Sequence, residues 1–118
     1  MGKENFDSYV KKLTELCAVQ GSPASRSLLL FKGKWNIRVL FVLCQQPVMR
    51  FGDFRKVIPG ITNTMLTTTL RDLESWGVVK RKQYNVIPPK VEYSLTESGM
   101  ALIPVFYEIA LWGDQYMR

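Results

Sequence analysis

The sequence predicts a mostly helical α+β fold, a winged helix-turn-helix, in which two short helices joined by a tight turn are followed by a β-hairpin. Residues 52–58 and 62–76 have the apolar spacing of helices, and the turn-forming pair Pro59-Gly60 lies between them. Directly after Gly77 the apolar period changes from about 3.6 to about 2 residues, which is typical of strands. A hairpin in that position is the wing of a winged helix.

Helical spacing also dominates the first part of the chain. Apolar residues recur from Phe6 to Leu16 and predict a short helix over about 5–16, before the break at Gly21-Ser22-Pro23. A second helix is expected over 24–31. Residues 35–45 are apolar on nearly every side, which predicts a helix that is buried all round.

The second helix of the pair and the wing have residues that define their ends. Thr62 is a suitable N-cap for the helix, and Gly77 is its expected stop. Strands are expected over 78–84 and 91–95, because both segments are β-prone and the second alternates apolar with polar residues. The connecting loop contains Pro88-Pro89.

The end of the chain predicts one more helix, which Thr96 caps and which covers about 97–117. Pro104 lies inside this helix and should kink it. The apolar residues of the segment point to more sides than one small core can cover, so part of the surface needs a partner. Since the 118 residues contain no linker, repeat or low-complexity segment, we expect a single domain over 1–118.

Basic residues are concentrated in the middle of the chain, whose formal net charge is +6. Residues 26–92 carry twelve basic and four acidic side chains. Residues 1–25 are balanced, and residues 93–118 carry one basic and three acidic side chains. A generic basic surface would spread the excess more evenly. The distribution therefore favours a nucleic acid that meets the central segment.

Composition disfavours several classes of protein. Histidine is absent, which removes Ser-His and Cys-His nucleophiles, and there is no glycine-rich phosphate loop or catalytic pair of carboxylates. The two cysteines lie 27 positions apart, without the spacing of a zinc site. We expect no enzyme, metal or cofactor. The longest apolar run has six residues, against roughly twenty in a membrane span, and no secretory signal is recognisable. We therefore expect a soluble, cytoplasmic protein.

One side of the predicted helix over 62–76 carries the residues expected to contact DNA. The core side comprises Met65, Leu66, Thr69, Leu70, Leu73 and Trp76. The opposite side is rich in hydroxyls, which donate to phosphates and base edges. A merely solvated side would favour Glu, Lys and Gln, which are better helix formers than threonine. The expected contact residues are Thr62, Asn63, Thr64, Thr67, Thr68 and Arg71.

The wing supplies most of the expected contacts with the DNA backbone. These residues are Lys80, Arg81, Lys82 and Lys90, with Lys34 as a further contact outside the wing. Strand alternation sends Lys80 and Lys82 to one side of the hairpin and Arg81 to the other, so the three cannot share one role. The alternative interpretation is that these charges protect an exposed edge strand from aggregation.

Several segments resemble the HxlR-type winged-helix transcriptional regulators. They are Lys32-Gly33-Lys34-Trp35, Arg50-Phe51, Ile58-Pro59-Gly60-Ile61-Thr62, Leu66 with Leu70-Arg71-Asp72-Leu73-Glu74, and Gly77-Val78-Val79. The most specific segment is Pro88-Pro89-Lys90-Val91-Glu92-Tyr93-Ser94-Leu95-Thr96 with Gly99, because it follows a predicted helix-turn-helix. The matches run in order from about Cys17 to Trp112. Since Pro104 also has a matching place, the resemblance implies one helix there rather than two.

The resemblance further implies a homodimer, related to the MarR-like regulators, that binds double-stranded DNA. Its two recognition helices would enter successive major grooves of a pseudo-palindromic operator. The terminal helices, over about 5–16 and 97–117, would form the dimer interface. The expected interface residues are Phe6, Tyr9, Leu13, Phe106, Ile109, Trp112 and Tyr116.

Cys17 matches the place of a cysteine that senses oxidants or electrophiles in some members of that family. Ala18 follows it where the family usually has proline. Cys17 ends the first helix, and the negative end of the helix dipole does not favour a thiolate. An inert packing thiol is the alternative. Cys44 is in phase with the buried helix and is expected in the core.

We therefore expect a sequence-specific DNA-binding transcriptional regulator that acts as a homodimer. A redox or electrophile signal or a small ligand would change its geometry and weaken binding. The alternative is a winged-helix module that docks protein or RNA. RNA binding of this kind usually needs aromatic platforms among the basic residues, and the basic hairpin offers only Tyr84.

Overall fold

The computed structural model describes residues 3–17 and 21–117 and divides the chain into two compact units, Met1–Lys34 and Trp35–Arg118. The first unit contains the helices α1 (Lys3–Cys17), α2 (Pro23–Ser27) and α3 (Leu29–Lys32). The second contains α4 (Asn36–Gln45), α5 (Phe51–Val57), α6 (Asn63–Ser75), β1 (Val79–Tyr84), β2 (Lys90–Leu95), α7 (Glu97–Met100) and α8 (Ile103–Tyr116). Among the described residues, no helix is long and apolar enough to cross a bilayer.

The first unit confirms the N-terminal helix but divides the second predicted one. The prediction of a single helix over 24–31 is wrong, because α2 ends at Ser27 and α3 begins at Leu29. The Ser27 hydroxyl donates to the carbonyl of Pro23 at 2.7 Å, and such a local bond competes with regular helical bonding. At the junction the chain tightens, since the Phe31 N–H bonds to the Leu28 carbonyl three residues back.

Helices α5 and α6 form the predicted helix-turn-helix. Gly60, in the turn between them, has φ of +81°, a conformation that L side chains rarely adopt. The Thr62 hydroxyl accepts the N–H of Met65 at 3.1 Å, so Thr62 caps α6 as predicted. Gly77 follows α6 with φ of +77° and ends it as expected.

Strands β1 and β2 pair antiparallel and form the wing. Their register places Arg81 opposite Tyr93 and Lys82 opposite Glu92. Met49 adds a short third segment on the other side of β2, through one isolated bridge with Tyr93. The wing is therefore bonded to the residues that precede α5 as well as continuing from α6.

The C-terminal segment consists of two helices, so the expectation of one helix over about 97–117 is wrong. Helix α7 ends at Met100, and α8 begins at Ile103 with Pro104 in its first turn. Proline lacks an N–H and clashes with the preceding turn, whereas the first turn of a helix needs no such N–H. Pro104 therefore starts a new helix instead of kinking a continuous one.

The core of the second unit lies among α4, α5, α6 and the hairpin. Its largest fully buried side chains are Phe54, Leu40, Met49, Leu66, Leu70, Leu73, Val39 and Val79. Helix α4 is buried on one side only, so the prediction that it is buried all round is wrong: Ile37 and Phe41 are exposed, and Cys44 is half-buried rather than in the core. The reason is that α5, α6 and β2 pack against the other side of this helix.

The predicted core side of α6 is confirmed at its centre and wrong at its edges. Leu66, Thr69, Leu70 and Leu73 are buried, whereas Met65 and Trp76 are exposed. Both exposed residues lie within one turn of an end of the helix, beyond the part that the core covers.

Candidate nucleic-acid interface

Helix α6 presents the predicted contact residues on one exposed side. Asn63, Thr64, Thr68 and Arg71 are exposed, and Thr67 is half-buried at the edge of the same side. Thr62 is also exposed, and its side chain forms the cap described above. The fold therefore leaves the polar side of α6 open to a ligand.

The hydroxyls of the α6 threonines divide into two groups. The Thr69 hydroxyl donates to the Met65 carbonyl at 2.8 Å, so its role lies inside the fold. In the part of the chain that the structure describes, Thr64, Thr67 and Thr68 have no intramolecular hydrogen-bond partner for their hydroxyls. A hydroxyl both donates and accepts. These three can therefore bond to phosphates and base edges without breaking an internal contact.

The register of the hairpin sorts the wing residues onto two faces. Lys80, Lys82 and Tyr84 share the face of their partners Ser94, Glu92 and Lys90. We name this the outer face. Arg81 shares the opposite face with Tyr93, which is buried against Phe54 with ring centroids 6.0 Å apart. We name that one the inner face. The separation of Arg81 from the two lysines, expected from alternation, is confirmed.

Tyr84 organises the charges of the outer face. The ammonium groups of Lys82 and Lys90 lie 4.8 and 4.9 Å from the centroid of its ring, within the range of cation–π attraction. Lys90 Nζ also lies 3.5 Å from Glu92 Oε2. A hydrogen bond from the Tyr84 hydroxyl, together with the charges of Lys90 and Arg50, lowers the pKa of the Glu92 carboxyl below its usual value. Since Glu92 stays ionised, it offsets part of the positive charge of the outer face.

The inner face brings Arg81 next to α6. Arg81, Thr67 and Arg71 line a cleft of about 260 Å³ between the hairpin and α6, with Tyr93 and Phe51 among its other walls. The sequence placed Arg71 and Arg81 in separate elements, and nothing in the sequence pattern indicated that they face the same space. The charge of the wing is therefore divided between the outer face and this cleft.

Sequence reasoning missed three features of this surface. Arg50 acts electrostatically on Glu92 and is exposed just before α5. The ring of Tyr84 forms cation–π contacts with Lys82 and Lys90 instead of standing alone. Val86 and Ile87 are exposed at the tip of the hairpin, and Ile87 is fully exposed. Two of these features had a visible signal, the adjacency of Tyr84 to basic residues and the place of Val86 and Ile87 in the predicted loop, whereas the effect of Arg50 on Glu92 depends on a tertiary contact.

The remaining predicted residues belong to elements other than α6 and the wing. Lys34 is the last residue of the first unit. In the first unit Phe6, Tyr9 and Leu13 are exposed along α1, and Cys17 is exposed at its end. On α8 Ile109, Trp112 and Tyr116 are exposed, whereas Phe106 is half-buried. Within the described residues, no group of three or more cysteine, aspartate or glutamate side chains could hold a metal ion.

Comparison with known proteins identifies the family. The HxlR-like helix-turn-helix family matches residues 30–118. The chain is 49% identical over 84 residues to the HTH-type transcriptional regulator YkvN of Bacillus subtilis, an alignment that covers 71% of this chain and 70% of YkvN. It is 45% identical over 97 residues to the regulator YdeP of the same organism, with 82% and 75% of the two chains covered.

Solved structures show the same fold. The reduced form of the transcriptional regulator YodB from B. subtilis superposes with a TM-score of 0.72 at 37% identity, covering 80% of this chain and 92% of YodB. The redox regulator HypR in its reduced form gives a TM-score of 0.72 at 41% identity, with 80% and 92% covered. The chain described here therefore belongs to the HxlR family of winged helix-turn-helix, MarR-like DNA-binding transcriptional regulators, and it is not an enzyme.

Proposed function

We propose that the protein binds a pseudo-palindromic operator as a homodimer, with α6 in the major groove and the wing against the flanking backbone. The observation that carries this proposal is the polar side of α6. Three threonine hydroxyls without internal partners lie there beside Arg71, and the inner face of the basic hairpin, with Arg81, lies next to it. An exposed helix of this kind fits the major groove, where hydroxyls contact base edges and phosphates.

Exposed apolar side chains support the homodimer. No residue of α8 is buried, and its apolar side chains from Ile103 to Tyr116 are exposed, apart from the half-buried Phe106. Helix α1 likewise exposes Phe6, Tyr9 and Leu13. Exposed apolar surface of this extent marks an interface. A second copy of the chain is the partner that the pseudo-palindromic operator requires, since two identical helices read two related half-sites.

Cys17 is the candidate sensor. It is exposed, whereas burial raises the pKa of the half-buried Cys44 thiol and so disfavours the reactive thiolate there. HypR is named a redox regulator, and one solved form of YodB was treated with diamide. These relatives support an oxidant as the signal, and a small ligand is the second possibility for the input.

The first experiment is retention of the DNA upstream of the protein's own gene against scrambled competitor, at about 150 mM salt because phosphate contacts weaken steeply above it. Wild type, Cys17→Ser and the matched control Cys44→Ser are compared before and after diamide, which oxidises two thiols to a disulfide, here the Cys17 thiols of the two copies. We expect specific retention that diamide abolishes in wild type and in Cys44→Ser, but not in Cys17→Ser.

Each other outcome has a defined meaning. Specific retention that is indifferent to diamide in all three proteins would reject the redox signal and leave a small ligand as the input. When no preference over competitor is seen, selection from random duplex sequences follows. Failure to enrich any duplex would contradict sequence-specific DNA binding and favour a module that docks protein or RNA.

A further inference from the structure

The cleft between α6 and the wing contains an unusual pair of cationic groups. Its volume is about 260 Å³. Helix α6 supplies Thr67, Arg71 and Glu74 to its walls, and strand β1 supplies Arg81 from the inner face. The two arginines therefore line one space from different elements of the fold.

Neither guanidinium forms a salt bridge within the described residues. Glu74 also lines the cleft, but no carboxylate lies within 4.0 Å of Arg71 or Arg81, so Glu74 does not pair with either arginine. Arg81 donates only to Gln83 Oε1, at 3.4 Å, and Arg71 has no hydrogen bond. Each guanidinium has five N–H donors, so most donors of the pair are available to a ligand.

Two cations that share a cleft repel each other, and the Glu74 carboxylate in its wall can offset only one of the two charges, so the cleft keeps a net positive charge that attracts an anion. A guanine edge presents only two acceptors in the major groove, and one guanidinium satisfies both. A phosphodiester carries a full negative charge and has two non-bridging oxygens, which match guanidinium forks bidentately. The pair therefore fits a phosphate better than it fits a base.

We propose that Arg71 and Arg81 hold one phosphodiester group of the bound DNA between them. The Thr67 hydroxyl, which has no internal partner, lies in the same cleft and donates to the same group. This inference rests on the proposed DNA-binding function and deepens it. It gives Arg81 a role distinct from that of the outer-face lysines: Arg81 acts with the recognition helix and sets the position of α6 relative to one phosphate.

The test is a double-mutant cycle on the duplex that wild type retains. Arg71→Ala and Arg81→Ala are each expected to weaken binding roughly 10-fold to 100-fold, the range for hydrogen bonds to a charged group. The double variant is expected to weaken binding by no more than about threefold beyond the weaker single variant, because the two side chains share one phosphate. Lys80→Ala, on the outer face, is the matched control. The fold-losses of affinity caused by Lys80→Ala and by Arg81→Ala should multiply in the variant that carries both.

Salt dependence and DNA chemistry give two readouts that a general loss of folding would not produce. Each single variant and the double variant should all lower the magnitude of the salt slope by about 0.9 per bound copy, since one phosphate is lost in every case. A neutral methylphosphonate is then placed at one position at a time along the duplex. One position per half-site should be the shared phosphate. With the methylphosphonate there, the wild type should bind only as tightly as the double variant binds unmodified duplex, and the affinity of the double variant should be unchanged.

The outcomes separate this inference from the function on which it rests. If wild type retains the duplex but the losses for Arg71→Ala and Arg81→Ala multiply, the shared phosphate is wrong while the regulator stands. The same conclusion follows if no single methylphosphonate position makes wild type and the double variant equal. If wild type retains no duplex at all, both proposals are overturned. Thermal unfolding of each variant confirms that the exposed substitutions leave the fold intact.

Discussion

Met49 and Tyr93 exchange a pair of backbone hydrogen bonds, with N···O distances of 2.9 Å from Met49 to Tyr93 and 2.8 Å in the reverse direction. Both backbone groups of Tyr93 are taken by Met49, and β1 pairs with the other edge of β2 through the neighbouring residues, so the strand β2 is bonded on both edges at this point. The wing is thereby held against the residues that precede α5, and its inner face stays beside α6. A mobile hairpin would not keep Arg81 in a defined cleft, so this bridge is a structural condition for the proposed phosphate site.

Gly99 lies where an added methyl group would meet neighbouring backbone. A Cβ there would collide with the backbone carbonyl oxygen of Val78 and lie 3.1 Å from Leu95 Cδ2. We expect Gly99→Ala to lower the free energy of unfolding by about 1–3 kcal/mol, the usual cost of overpacking. Chemical denaturation measures the change.

The matched control for Gly99→Ala is Gly52→Ala, also in the first turn of a short helix, where an added Cβ meets nothing within 4 Å. It should leave stability unchanged or raise it by up to about 1 kcal/mol. Equal effects of the two substitutions would show that the close packing of α7 on Val78 is not what excludes a side chain at Gly99.

Thr62 should matter first as a helix cap. Its hydroxyl accepts the Met65 N–H at 3.1 Å and satisfies one of the unpaired donors at the start of α6. We expect Thr62→Ala to lower the free energy of unfolding by about 1 kcal/mol, and Thr62→Ser to restore most of it because serine caps as well. Urea denaturation of the three proteins decides the matter, and a serine variant as unstable as the alanine variant would contradict the cap.

The number of phosphate contacts should be visible in the salt dependence of DNA binding. Arg71, Lys80, Lys82, Lys90 and Lys34 in both copies of a dimer would make about ten contacts, which gives a slope of log K against log salt near −9 at roughly −0.9 per contact. Arg81 adds none, since it shares the phosphate of Arg71. Titration across a range of salt concentrations measures the slope. A slope shallower than about −3 would contradict the assignment of these basic residues to phosphates.

A single substitution tests the part that the outer face plays in the same measurement. Lys82→Ala should reduce the magnitude of the slope by about 1.8 for a dimer, one contact in each copy. Lys11→Ala, on α1, is the control and should leave the slope unchanged. If the two variants behave alike, the wing lysines do not contact phosphates.

Trp112 should contribute strongly to the dimer. It is 56% exposed on α8, and its ring contacts only that of Tyr116, at 5.5 Å between centroids, among the described aromatic pairs. Because large aromatic side chains carry much of the energy of an interface, we expect Trp112→Ala to raise the dimer dissociation constant by about 10-fold or more. Sedimentation equilibrium measures it.

Phe41→Ala is the matched control for Trp112, since Phe41 is 54% exposed on α4, outside the proposed interface. It should leave the dissociation constant unchanged. A weaker dimer with Phe41→Ala but not with Trp112→Ala would move the interface from the terminal helices to α4.

The pKa of Glu92 should report the integrity of the outer face. The hydrogen bond from Tyr84 is the largest cause of its lowered pKa, followed among the charges by Lys90 and Arg50. Tyr84→Phe should therefore raise the pKa of Glu92 toward its usual value of about 4.3, as measured by NMR titration of the carboxyl carbon. Because the folded-state pKa is lowered, Glu92 stabilises the fold above the unfolded pKa, and this contribution is lost as the pH falls through the folded value. An unchanged pKa in Tyr84→Phe would contradict the contact.

Much of the fold was predictable from short segments of sequence. The apolar spacing of 62–76 and the turn at Pro59-Gly60 predicted the helix-turn-helix, and the change of period after Gly77 predicted the wing. Local signals failed at Pro104. The choice between a kinked helix and a new helix depends on whether the backbone hydrogen bonds of the helix continue between Met100 and Ile103, and the spacing of apolar residues does not show this. They also failed for α4, because an apolar sequence does not show which side the neighbouring elements cover.

The sequence by itself determined the helix-turn-helix and the wing that follows it, the polar side of α6 and the central concentration of basic residues, because these depend on periodicity and composition. Alternation along β1 also separated Arg81 from Lys80 and Lys82. Only the tertiary structure decided which space each of them faces. The packing of the hairpin against α6 and the register that pairs Arg81 with Tyr93 bring Arg81 to Arg71. Residues ten positions apart on different elements meet through packing, which no local pattern encodes.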